Sequence, residues 1–140
     1  MLNCYSKLKP DELIFTMIEQ NEISYGRKNL TPDKQFLQVG VKKTKAGEFF
    51  KPHKHLPCNK EVSITQEAWI VLNGKAEGSF YDLNDEYLCS VELGSGDCII
   101  IYKGGHSLKI LEDETILYEF KNGPYKGASK DKEFIRGKDV

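Results

Sequence analysis

At 140 residues and 16.0 kDa the chain fits a single domain, because two autonomous cores would each fall near the size at which burial barely offsets chain entropy. Lys and Arg number 20 against 21 Asp and Glu, and the resulting net charge of -1 argues against nucleic acid as a partner; a hydrophobic content of 39% excludes a disordered chain. No window approaches the roughly 18 apolar residues of a membrane span, and Met1 to Pro10 has no signal-like apolar stretch, so the expectation is a cytoplasmic protein without membrane contact.

In chain order, Pro10 to Gln20 comes first. Leu13, Ile14, Met17 and Ile18 have the i, i+3, i+4 spacing of a helical face, with proline and two acids in the first turn, which predicts a short N-terminal helix within an extended segment 1–30. From Gln35 the pattern becomes short β-rich runs punctuated by Gly, Asn and Asp, the rhythm of an all-β sandwich or barrel spanning 35–121. Strands are expected near Phe36–Lys45, Glu48–Lys51, Gln66–Leu72, Lys75–Asp82, Tyr87–Leu93, Cys98–Tyr102, His106–Leu111 and Thr115–Lys121. About eight strands suit a jelly roll.

The punctuation is specific. Asn73-Gly74 predicts a tight hairpin, since both residues accept positive φ. Tyr81 to Glu86 reads as a polar hairpin tip, and Gly94-Ser95-Gly96-Asp97 introduces CIIIY, a strand apolar on both faces and therefore internal. The segment 122–140 reads as a charged, partly ordered tail. Cys4, Cys58, Cys89 and Cys98 lie 54, 31 and 9 residues apart, which suits neither a zinc ribbon nor a disulfide scaffold, so most are expected to be buried small hydrophobes.

Two of the three histidines, His53 and His55, are separated by one residue at the end of a predicted strand, so both imidazoles leave the same face and can share a metal ion. A pair of exposed surface histidines is the plainer reading of that spacing alone. Glu67 begins an apolar strand in which Glu67, Trp69 and Val71 share a face. Lys51 has the strand parity of the histidines and is a candidate for meeting an anionic substrate; a solvated lysine at the rim is the plainer alternative. Trp69 is a candidate pocket residue, though a lone tryptophan in an apolar strand more often belongs to the core. Lys103-Gly104-Gly105-His106 lacks the length and the Lys-Ser/Thr of a phosphate-binding loop. Glu119 and Tyr125 read as packing or capping residues at the end of the barrel.

Gly47, with five residues between it and His53, together with Glu67, with six residues between it and Gly74, and Gly96-Asp97 leading to Gly104-Gly105-His106, resembles the two motifs of the cupin superfamily, G-x5-H-x-H-x3,4-E-x6-G and G-x5-P-x-G-x2-H-x3-N. The resemblance implies a jelly-roll barrel holding one divalent metal ion, Zn, Fe, Mn or Ni, on His53, His55, Glu67 and His106. Three departures stand out. Eleven residues separate His55 from Glu67, which leaves Glu61 or Cys58 as competing ligands; Tyr102 and Ile110 replace the usual proline and asparagine; and the second motif is one residue short before His106. A Gly104-Gly105 turn, free to take angles closed to other residues, is expected to absorb that deletion and still carry His106 inward.

Arg27-Lys28-Asn29-Leu30, KPHKH, the E-x6-G strand, FYDLNDE, LYEFKNGPY and DKEF together look like the WbuC-type cupin-fold metalloproteins, whose genes often accompany those of surface-polysaccharide synthesis. The chemistry of that family is poorly defined; the cupin resemblance implies a homodimer, and the first-choice expectation is a metal-dependent enzyme that isomerises or epimerises a small sugar or sugar nucleotide. An Fe(II) dioxygenase, a metal-free sugar ketoisomerase and a non-catalytic sugar- or metal-binding module remain alternatives, because one barrel hosts many chemistries.

Overall fold

The computed structural model of the chain describes residues 1–135. Among the described residues ten strands occur: β1 (Leu2–Tyr5), β2 (Leu13–Ile18), β3 (Gly26–Asn29), β4 (Gly40–Lys43), β5 (Glu67–Asn73), β6 (Lys75–Tyr81), β7 (Tyr87–Gly94), β8 (Cys98–Ile101), β9 (Gly105–Ile110) and β10 (Ile116–Lys121). They form three antiparallel sheets, ordered β1-β2-β8-β5-β10, β3-β4 and β7-β6-β9. The fold is all-β. The charged tail is described as far as residue 135 and holds one helical turn, α1 (Ala128–Asp131); residues 136–140 lie outside the described range. Among the described residues no helix is long and apolar enough to cross a membrane.

The predicted N-terminal helix is a strand. All six residues of LIFTMI are buried, and β2 lies in the sheet interior, bonded to β1 on one side and β8 on the other. A continuous apolar run satisfies helical and strand periods alike, and here length and composition decide: six residues rich in β-branched and aromatic side chains suit a strand buried on both faces. Pro10 and the acids instead sit in the β1–β2 connection, where Glu12 N–H donates to Lys9 O at 2.9 Å. The strand expected at Glu48–Lys51 is likewise absent, and Phe36–Lys45 shrinks to β4. Pro52 and Pro57 lack the N–H that a ladder needs, and residues 44–66 run without a strand from β4 to β5.

The five-stranded and three-stranded sheets pack face to face. Phe15 on β2 meets Phe80 on β6 with ring centroids 4.2 Å apart, and Trp69 on β5 lies 6.5 Å from the same ring. Met17, Val71, Leu93, Ile99 and Ile101 complete this inner core, each fully buried large side chain stabilising the fold by roughly 2 kcal/mol. Alternate residues of the five-stranded sheet, among them Ile18, Ala68, Cys98 and Ile100, face the other way. They form a second cluster with Leu30, covered by Leu37, Val39 and Val41 from the β3–β4 ribbon and its connection. β8, read as internal from its sequence, is buried at every position.

The Asn73-Gly74 turn is not a hairpin. β5 pairs with β8 and β10, while β6 pairs with β7 and β9, so the chain steps from one sheet to the other at this corner. Gly74 has φ +80°, and a Cβ there would lie 2.3 Å from Thr115 Oγ1. The tip from Asp82 to Glu86 does close a hairpin, β6–β7, with Asp82 N–H donating to Glu86 O at 2.7 Å.

Candidate functional site

β5 places Glu67 and Trp69 on its inner face, and its partner β10 places Lys121 opposite Glu67 and Glu119 opposite Trp69. From the other sheet, β9 brings His106, paired with Phe80, towards the same point. Gly104 makes this possible: its φ is +75°, and a Cβ there would lie 2.3 Å from Tyr81 O, so only glycine allows the chain to turn this closely into β9.

Glu67 is 7% exposed. Its Oε1 accepts the Trp69 indole N–H. Its Oε2 lies 3.8 Å from His106 Nε2 and 3.3 Å from Lys121 Nζ. The Trp69 and His106 rings meet edge to face with centroids 5.3 Å apart, so one side chain orients both the carboxyl and the imidazole. Lys121 also reaches Glu119 Oε1 at 2.9 Å and Asp131 Oδ2 at 4.0 Å. The Glu67 and Glu119 carboxyls thus share one ammonium, that of Lys121. Beside this group opens a cavity of about 400 Å³ lined by Glu119, Lys121, Asn122, Gly123, Tyr125 and Asp131, within the size range of small-molecule sites.

The electrostatics push acid and base towards each other. Burial raises the pKa of Glu67, and the Glu119 charge adds to that, against the opposing Trp69 hydrogen bond and the Lys121 charge. His106 is exposed on β9, yet desolvation of its ring by the neighbouring groups, helped by the Lys121 charge, lowers its pKa. Glu119 moves down: burial opposes this, but hydrogen bonds from Lys121 and Glu67 outweigh it. Lys121 moves up through its hydrogen bond to Glu119 and its attraction to Glu67. The contact between Glu67 and His106 is therefore one between a carboxyl that resists ionisation and an imidazole that resists protonation.

Of the four expected metal ligands, Glu67 and His106 come together while His53 and His55 do not join them. These two are exposed in the 44–66 loop and not on a strand, with ring centroids 5.7 Å apart and His53 Nδ1 3.0 Å from Lys51 O. Lys51, Cys58 and Glu61 are exposed in the same loop. Among the described residues, no three His, Cys, Asp or Glu side chains are grouped so as to hold a metal ion. The Lys121 ammonium also takes the place beside Glu67 Oε2 that a bound cation would need. As arranged, the donor set does not fit a metal ion. Trp69, a candidate for pocket or core, is a core residue, buried and donating its indole N–H to Glu67.

Sequence reasoning assigns Glu119 to packing and passes over Lys121. The signal is present in LYEFK, where Glu119 and Lys121 share the parity of the half-buried Leu117 and so lie on the sheet face beside Glu67, though both remain exposed. No family model matches the chain, and neither the curated proteins nor the solved structures yield a match.

Proposed function

We propose that the chain is a cupin-type jelly roll that isomerises or epimerises a small sugar or sugar nucleotide by proton transfer at Glu67 and His106. The observation that carries this reading is the pairing of a carboxyl of raised pKa with an imidazole of lowered pKa, 3.8 Å apart, joined through Lys121 to an open cavity that Glu119 and Lys121 line. Groups tuned in this sense are suited to act as acid and base near neutral pH. Neutral His106 is placed to take a proton from a carbon next to a carbonyl. Protonated Glu67 can return one to the oxygen, and the Lys121 ammonium stabilises the negative charge that develops there. Glu119, held against Lys121, adds a negative charge that helps keep Glu67 protonated.

The test is hydrogen exchange. Incubation with nucleoside-diphosphate sugars and free aldoses in D2O should place deuterium on a substrate carbon, and Glu67→Gln and His106→Gln should each slow this by about 100-fold or more. Exchange that persists in both variants, or is absent with every such substrate, would overturn the proposal. A second reading retains the metal, because two of its four expected ligands already face each other. It requires the 44–66 loop to carry His53 and His55 to Glu67 and His106. Metal content of the untagged protein, measured by plasma emission and lost on replacing both histidines by alanine, would favour that reading.

A further inference from the structure

Cys4 on β1 and Cys89 on β7 belong to opposite sheets, yet their sulfurs lie 3.9 Å apart. β1 is the edge of the five-stranded sheet and β7 the edge of the three-stranded one, so the thiols meet where the two layers adjoin. Cys4 pairs with Phe15 and Cys89 with Phe80, the two rings in contact at the centre of the core. The thiol pair continues that layer outward, and both residues are half-buried.

We propose that Cys4 and Cys89 form a reversible disulfide that joins the two sheets, made by exchange with a low-molecular-weight disulfide such as oxidised glutathione. The sulfurs must close from 3.9 Å to about 2.05 Å. The backbone offers room for this, because the β1–β2 register shifts between Cys4 and Tyr5, and the β6–β7 register shifts between Phe80 and Tyr81, beside the Cys89 pair.

The chemistry balances with one oxidant. A thiolate of the pair attacks oxidised glutathione, forming a mixed disulfide and expelling one glutathione thiolate. The second cysteine thiolate attacks the protein sulfur of that mixed disulfide and expels the other. The pair loses two electrons and two protons; one oxidised glutathione gains them and leaves as two reduced molecules. The second step is intramolecular between sulfurs already in contact, so the mixed disulfide does not accumulate.

Cys4 resists ionisation, its pKa pushed up to about 11 by burial, by Cys89 and by the Asp82 charge, against an opposing effect of Lys7; this favours slow exchange near neutral pH. The remaining cysteines lie elsewhere, Cys98 buried in the cluster on the outer face of the five-stranded sheet and Cys58 exposed in the 44–66 loop.

Full-length protein equilibrated in glutathione buffers of graded oxidation, acid-quenched, alkylated under denaturing conditions and mapped by mass spectrometry tests the proposal. Oxidising buffers should protect two of the four thiols and yield linked Cys4 and Cys89 peptides lighter by the two lost hydrogens. Oxidation should also raise the melting temperature by roughly 5 °C, a shift lost in Cys4→Ser and in Cys89→Ser but kept in Cys58→Ser. Four alkylatable thiols in every buffer, stable glutathione adducts on Cys4 or Cys89, or linkage of either to Cys58 would each overturn it.

Discussion

The two sides of the sandwich treat buried polar groups in opposite ways. Where β1 and β7 adjoin, Asp82 is 2% exposed and its carboxylate is saturated: it accepts from the Ser6 hydroxyl, from Lys7 N–H at 2.7 Å, Leu8 N–H at 3.1 Å and Leu83 N–H at 2.7 Å. Burial alone would raise its pKa, but these hydrogen bonds outweigh burial and lower it, so ionised Asp82 stitches the β1–β2 connection to the β6–β7 tip. Where β5 and β10 face β9, two carboxyls compete for one ammonium; burial pushes the Glu67 pKa up, while desolvation and the Lys121 charge push that of the exposed His106 down. A saturated network stabilises and rigidifies, whereas an under-compensated one leaves groups ready to exchange protons. The contrast separates the part of the fold that holds it together from the part suited to chemistry.

The largest effect that could break this comparison is at Asp82. Asp82→Ala strands the Ser6 hydroxyl and three backbone N–H groups and should lower the unfolding free energy by about 3 kcal/mol in urea titrations. A loss under about 1 kcal/mol would mean that the network is not what secures this side of the fold. Glu67→Gln, equally buried, keeps an acceptor for the Trp69 N–H and removes the ionisation that burial opposes, so it should be tolerated in the same titrations.

The smallest effects, and the sharpest test of the electrostatics, lie in the pH dependence. Glu67 has a raised pKa in the fold, so its contribution is fully present below the unfolded carboxyl value of 4.5 and fades as pH rises through the folded value. His106 has a lowered pKa, so its contribution is present above the unfolded value of 6.5 and fades as pH falls through the folded value. Relative to wild type, Glu67→Gln should therefore gain stability as pH rises and His106→Gln as pH falls. Melting curves from pH 4 to pH 8 with slopes of the same sign would contradict the assignment of the two groups.

From β5 to β10 the strands are legible in the sequence because alternating apolar residues and Gly, Asn and Asp turns are local signals. Glu67, Trp69 and His106 are legible for the same reason, and the glycines mark the Gly104 turn that brings His106 to Glu67. The N-terminal third is not. LIFTMI carries no period that separates helix from strand, and GRKN in β3 is exposed at every position, with no apolar face to mark it. Spacing puts His53 and His55 on one side, and their rings are indeed neighbours, but spacing says nothing about what they face. Lys121 and Glu119 join the site only through β5–β10 pairing, which no short window of sequence contains.

That pairing also sets the order in which the protein can be completed. The Asn73-Gly74 corner sends β5 and β6 to different sheets, so β5 finds no partner in its nearest neighbour along the chain. It must wait for Cys98–Ile101 and then Ile116–Lys121, just as Leu13–Ile18 waits for the same central strand. Early strands thus carry unpaired edges through most of synthesis on the ribosome, and closing such distant loops is slow. The last strand to dock is the one that delivers Glu119 and Lys121, so a nascent chain acquires its charged centre only when its largest sheet is finished.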